Sequence, residues 1–324
     1  MTQLNSTPVA RVRDLHDLLG VIPHLLGFHP EESLVLLIVL DGRVELTARA
    51  DLTDLRPPGH LELLVDRLLL RWPAAGVWLV GYAQREVDGW QLLERARTHL
   101  GEALSGDPIC VTGARYRLGS PDGPEFVHDP ASTPSAAAAT FHGLQARGSR
   151  AELAQGLRAD PARAGVSEAA WVDARERLES VGRDALPDEL IRQIATALMD
   201  PAGVDDADLA WLGLLAHDPN ARDAAVLSLE RDFAEGWVDL WIRVVRACPF
   251  GTQHQPLAIL ALAAWVGGNG ALASVCLEEL ESQGARPGLK AMLEELNEAI
   301  VPPSQWDSLR RELLASLEDS QQHC

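Results

Sequence analysis

The sequence predicts an α+β protein: an N-terminal α/β domain with a mixed sheet, then a C-terminal all-α domain of repeat-like helical hairpins. Three observations carry this. The run 34–40 is apolar at every position and meets Asp41-Gly42, a two-residue hairpin signal because both turn positions need positive φ. Helical and strand patterns then alternate as far as residue 118, the mark of helices packed on a sheet. Beyond residue 149 almost every segment spaces its apolar residues as a helix does.

In the first half, Leu15, Leu18 and Leu19 share a helical face over residues 13–19, and Gly20 is expected to end that helix. A second short apolar turn, 22–26, stops at Gly27. A run without polar alternation suits a strand covered on both faces, so 34–40 should be central. The return strand 43–51 alternates Val44, Leu46, Ala48 and Ala50 with Arg43, Glu45, Thr47 and Arg49, giving a core face and a polar face. Pro57-Pro58-Gly59 precedes a helix bearing Leu61, Leu64, Val65, Leu68 and Leu69. Residues 76–82 read as another buried strand, Trp90, Leu93, Leu100 and Leu104 as a helix, and 109–118 as one further strand.

From Gly119 the composition turns to Pro, Ser and Ala, so the domains are set at 1–119 and 149–324, with 120–148 as a linker. Ser149 and Glu152 have capping-box spacing. Ser167 is placed to cap a helix with Trp171, Ala174, Leu178 and Val181 on one face, and Pro187 opens the next. Asp218-Pro219 is an N-cap followed by proline at the first helical position, where its missing N–H costs nothing. The run it opens should bend at Gly236. Pro256 starts a helix that ends at Gly267-Gly268-Asn269-Gly270, 271–283 pairs with it, Pro287 starts another, and Ser304 caps the last. The starts at Pro219, Pro256 and Pro287 recur near the ~34-residue period of helical hairpins.

A chain of 324 residues, 47% hydrophobic, fits two cores, since single cores stop growing near ~250–300 residues. The formal charge of −19 repels phosphates and anionic lipid, and the arginines are scattered among acids, so neither nucleic acid nor membrane is an expected partner. The four cysteines lack metal or redox spacing, and the N-terminus lacks the regions of a signal peptide. A cytoplasmic location is expected.

Two resemblances appear. Gly268-Asn269-Gly270 with Ala273, Leu277 and Leu280 looks like the middle of a tetratricopeptide-type repeat, without that repeat's usual tryptophan and tyrosine. More of the chain resembles the uncharacterised actinobacterial family called domain of unknown function 4192. The resemblance rests on Pro23-His24-Leu25-Leu26-Gly27-Phe28-His29-Pro30 with Ser33-Leu34-Val35, on Arg49-Ala50-Asp51-Leu52, and on Ala263-Ala264-Trp265 with Gly268-Asn269-Gly270-Ala271-Leu272-Ala273. It implies a bacterial cytosolic protein and carries no activity, cofactor or catalytic residue to transfer. The cysteine-rich segment of other members is absent from 116–127, which removes a metal reading there.

The densest polar chemistry beside a core strand is His24, His29, Glu31, Glu32 and, at the far end of the hairpin, Asp51. Imidazole and carboxylate are the common metal and acid–base groups, so His24, His29, Glu31 and Asp51 form the candidate cluster. On one helix, histidines five apart diverge by about 140°, so they converge only if Gly27 bends the chain. The plainer alternative is a turn at Gly27 and Pro30, solvated carboxylates, and Asp51 ending its strand. Ser33 has no nucleophile elbow, and the 267–270 glycines follow a helix and lack a phosphate-loop lysine. No metal and no cofactor is expected, and the balance leans away from an enzyme. The leading expectation is a protein-interaction or regulatory protein whose helical domain binds a protein partner. The alternative is an enzyme or small-ligand binder using the His24, His29 and Asp51 loop region.

Overall fold

The computed structural model describes residues 14–141, 146, 150–158, 164–249, 251–285 and 288–322. It is a mixed α+β protein, and its residues group into two compact units, 1–150 and 151–324. Among the described residues no helix is long and apolar enough to cross a membrane.

The N-terminal unit is built on six strands: β1 (Ser33–Leu40), β2 (Arg43–Asp51), β3 (Gly76–Tyr82), β4 (Ile109–Thr112), β5 (Arg115–Leu118) and β6 (Glu125–Val127). Their order is β2-β1-β3-β4-β5-β6. The apolar run thus has neighbours on both sides, antiparallel to each, and its first six residues are buried. The pair β3–β4 is parallel, as it must be when α4 (Glu86–Leu100) carries the chain across the sheet between them. Together with α2 (Leu52–Leu55) and α3 (His60–Arg71), which pack on it, α4 covers one face: Leu93 packs over Gly81, and Cys110 lies under Gly89. On the opposite face lies α1 (Leu15–Leu26), whose His16 meets Tyr116 of β5 edge to face at 5.5 Å.

Several expectations change in this unit. The stretch 13–26 is one helix in its described part, not two turns. Gly20 sits inside it because the chain comes close there: a Cβ at Gly20 would lie 2.0 Å from Thr133 Oγ1. Pro23 is also inside the helix, and the true stop is Gly27, at φ 79° in the left-handed region. The segment 109–118 is a hairpin, β4 and β5, turning at Gly113 with φ 58°. Residues 120–141, the first part of the expected linker 120–148, belong to the N-terminal unit, and most of the remainder lies outside the described residues. Residues 120–141 supply β6 and then α5 (Pro134–Phe141), which packs on α1. There the Ser135 hydroxyl donates to the Asp17 carbonyl at 2.6 Å, and the Ser135 N–H donates to the buried Asp17 carboxylate at 3.3 Å. Small Pro, Ser and Ala side chains mark close helix packing here. Strand β2 lacks a clean core face, because it is the sheet edge and leaves Val44 39% exposed.

The second unit is all helical: α6 (Arg150–Gly156), α7 (Ala164–Ser180), α8 (Leu186–Met199), α9 (Asp206–Leu215), α10 (Pro219–Ser228), α11 (Ala234–Ala247), α12 (His254–Val266), α13 (Gly270–Ser282), α14 (Gly288–Glu298) and α15 (Trp306–Gln322). Asp218 caps α10 by accepting the Ala221 N–H at 2.9 Å. Asn269 caps α13 by accepting the Leu272 N–H at 3.1 Å, so α12 and α13 form the expected hairpin. Every residue of α12 from Pro256 to Val266 is buried, and α15 returns to the chain before α11: the Trp306 indole N–H donates to the Leu229 carbonyl at 2.8 Å. Helix α12 is thus enclosed by α11, α13, α14 and the 3-10 turn Pro303–Gln305. The break expected at Gly236 falls instead at Leu229-Glu230, ahead of a 3-10 turn over Arg231–Phe233. Ser167 lies within α7 and does not cap it. The Ser149 cap and the Pro287 start fall outside the described residues. All six tryptophans of this half are buried, as core packing requires.

Candidate functional site

Strand pairing aligns one transverse row across the end of the sheet: Asp51, Ser33, Tyr82, Val111, Tyr116 and Phe126 are successive partners. In this row Tyr82 and Val111 stand toward the carboxyl ends of the parallel pair. Ligands of open α/β sheets bind outside those ends, where the chain leaves adjacent strands in different directions. A cleft of about 280 Å³ opens there. Its floor and walls come from α1 (Leu19, Pro23), the loop before β1 (His29, Pro30, Glu31, Glu32), the end of β3 (Tyr82, Ala83, Gln84), the β4–β5 turn and the segment after β6 (His128, Pro130).

The loop before β1 is held in an unusual conformation. Glu32 has φ 41°, a region that costs a non-glycine residue energy. Three contacts hold it: its carbonyl accepts the Leu52 N–H at 2.9 Å, its carboxylate accepts the Gln84 N–H at 2.6 Å, and the adjacent Ser33 hydroxyl donates to the Glu31 carbonyl at 2.5 Å. The loop is thereby tied to the ends of both β2 and β3, and its His29, Glu31 and Glu32 share the cleft's lining with Tyr82.

Two residues of this lining carry a polar side-chain atom that has no partner among the described residues. The Tyr82 hydroxyl and His128 Nδ1 are both buried and unbonded, in residues only 8% and 5% exposed. A buried group left without a hydrogen bond costs about 1–3 kcal/mol, and Trp90 Nε1, Thr112 Oγ1 and Arg117 Nε in the same unit are likewise buried without a hydrogen-bond partner among the described residues. Burial raises the Tyr82 phenol well above its ordinary value, so it is a neutral donor. Burial, and secondarily neighbouring His24, lowers His29 below its ordinary value. Burial and then His16 lower His128, with Asp129 opposing. Both imidazoles are neutral at neutral pH. His128 is held edge-on by Tyr116 at 6.1 Å, and Tyr116 in turn stacks on Phe126 at 5.1 Å.

The expected cluster is only partly assembled. His29 and Glu31 line the cleft; His24, in the last turn of α1, does not. Asp51 is two strands from Tyr82 along the row, about 10 Å at ordinary strand spacing, and is committed elsewhere. Arg49 grips it with two hydrogen bonds, at 2.6 and 3.1 Å, while Arg49 Nε donates to Ser33 Oγ at 2.8 Å. Asp51 therefore secures the hairpin's end. Among the described residues no three His, Cys, Asp or Glu side chains stand where they could hold a metal ion. Tyr82, Gln84 and His128 escaped sequence reasoning. Tyr82 ends a strand of a βαβ unit, a position that could have singled it out, whereas His128 lay in the segment read as a linker.

The chain is a mixed-sheet α/β module with a partly apolar cleft at its strand ends, bearing Glu31 and Glu32, joined to a helical unit. The family model described as Domain of unknown function (DUF4192) matches residues 16–304, and the chain belongs to that family. Neither a curated protein nor a solved structure matches it.

Proposed function

We propose that the N-terminal unit is a small-ligand-binding module and that the cleft at the ends of β3 and β4 is its site. The observation that carries this is the cleft's place at the carboxyl ends of the parallel pair β3 and β4, with Tyr82 and His128 in its lining. Tyr82 Oη and His128 Nδ1 are closed to solvent in the free protein; a ligand with a hydroxyl or carbonyl binds them by moving aside what covers them. Tyr82→Phe tests the reading directly. If the hydroxyl exists for a ligand, its removal leaves the free protein as stable or more so and abolishes the thermal shift given by metabolites that bind the wild type. A loss of about 2 kcal/mol or more in the free variant would mean that the hydroxyl has a structural partner, and the reading would be wrong.

A second reading concerns the helical unit, which binds a protein partner on its outer surface. Its support is Met199 at 80% and Phe233 at 57% exposure, at the end of α8 and the entry to α11. These elements meet where a Cβ on Gly236 would lie 3.0 Å from Leu198 Cδ2. Met199→Asp with Phe233→Asp should then remove a stoichiometric partner from native pull-downs, and a monomer with no partner in either case counts against it. The protein works in a bacterial cytoplasm, a location supported by the free buried thiols Cys110, Cys248 and Cys276.

A further inference from the structure

Most of the chain's charge lies in the helical unit. Residues 151–324 hold 29 of the 47 acidic side chains and 14 of the 28 basic ones, which is −15 of the formal −19. Part of it gathers where Met199 and Phe233 are exposed. Gly236, Asp239 and Arg243 share one face of α11 at i, i+3 and i+7. Gly236 faces Leu198, and the Arg243 guanidinium donates to the Pro201 and Val204 carbonyls at 2.7 Å each. Asp239 therefore stands between these contacts, beside the end of α8 and the turn that follows it. Asp200 is exposed in that turn, and Asp232 and Glu235, on either side of Phe233 in sequence, are exposed as well. An exposed apolar pair thus has four carboxylates around it.

We propose that this surface docks a cationic amphipathic helix of another protein, with its apolar face on Met199 and Phe233 and its lysines or arginines against Asp200, Asp232, Glu235 and Asp239. This rests on the helical unit binding a protein partner at Met199 and Phe233, and it names that partner's chemistry. Charge selects among the occupants of an apolar pair. A second copy of this chain brings the same four carboxylates, and anionic lipid brings phosphates, so both are repelled. A basic helix is steered in by the negative field of the whole unit and meets opposite charges at the rim. Its apolar residues, three and four positions apart, form the continuous stripe that an exposed apolar pair can accept.

Fluorescence anisotropy on the full chain would compare three labelled helical peptides of equal length: leucine on one face with lysine on the other, the same with glutamate for lysine, and the same with alanine for leucine. The leucine–lysine peptide should bind best, the alanine–lysine peptide at least about tenfold more weakly, and the glutamate peptide not at all. Glu235→Gln with Asp239→Asn should weaken the first peptide about tenfold and flatten its salt dependence. Glu295→Gln with Glu298→Gln, exposed on α14, removes as much charge and should weaken it by about twofold at most. Met199→Ser with Phe233→Ser should weaken it about tenfold at an unchanged thermal midpoint, since both side chains are exposed. If no peptide binds, if the glutamate peptide binds as well, or if the two charge pairs act alike, the cationic class is overturned; the surface itself then stands or falls with the stoichiometric partner that Met199→Asp with Phe233→Asp removes. If Met199→Ser with Phe233→Ser leaves binding of the leucine–lysine peptide unchanged, both claims fall. Self-association of the free chain that this same pair abolishes would make a second copy the occupant and overturn the proposal.

Discussion

Substituting Gly20 by alanine separates what helix propensity dictates from what packing dictates. In an exposed helix interior the change gains about 1 kcal/mol, because alanine loses less backbone freedom. Here the new Cβ would lie 2.0 Å from Thr133 Oγ1 and 2.8 Å from both Thr133 Cβ and Cγ2. Thr133 is β-branched and cannot simply rotate away: its hydroxyl accepts the Ala136 N–H at 3.1 Å, capping α5, and contacts Ser135 Oγ at 3.1 Å. Overpacking a rigid contact costs about 1–3 kcal/mol, and a clash with a held side chain belongs at the upper end. The net expectation is a loss of about 2 kcal/mol. Hydrogen exchange of the β1 amides through a urea titration reports this for the N-terminal unit alone. Thr133→Ala loses the cap, about 1 kcal/mol, yet in combination with Gly20→Ala it should cost less than the sum of the two. A neutral or stabilised Gly20→Ala, or additive singles, would refute the close packing of α1 against the start of α5.

The remaining predictions concern titration, anchoring and reactivity. His29, His128 and His217 all lie below the ordinary imidazole value of 6.5, burial being the first cause in each, so the unfolded chain binds more protons than the folded one. Their contribution is therefore complete above pH 6.5 and lost as pH falls through the lowered values; the urea midpoint should drop on acidification, and a midpoint that rises would contradict their burial. Trp306→Phe removes the donor to the Leu229 carbonyl and should cost about 1–3 kcal/mol, with faster amide exchange in α10 and α15; unchanged exchange would mean that Trp306 does not join them. Burial, and then Glu86, pushes the Cys110 thiol up to about 12, and burial raises Cys248 and Cys276 as well. In a Cys324→Ser background an aromatic disulfide reagent at mildly alkaline pH should titrate no thiol until the protein is unfolded.

The sequence alone determined the features that depend on neighbours along the chain. The Asp41-Gly42 hairpin, the caps at Asp218 and Asn269, and the stop at Gly27 follow from backbone sterics and short-range hydrogen bonds, which local residue types specify. The interior position of β1 followed from its unbroken apolar run, because burial on both faces leaves no room for alternation. Tertiary structure decided what depends on residues far apart. Gly20 and Pro23 look like helix ends but stay inside α1, where packing against Thr133 and the sheet outweighs a local cost of a few kcal/mol. The Pro-, Ser- and Ala-rich segment looks like a linker until Ser135 meets Asp17 across 118 positions of sequence. The site divides in the same way. His29 and Glu31 were legible as polar residues crowded before a strand, whereas His128 joins them only because β6 returns along β5. Asp51 was set aside by its pairing with Arg49. A cleft is a coincidence of several chain segments, and the physics that brings them together is the burial of the core beneath it.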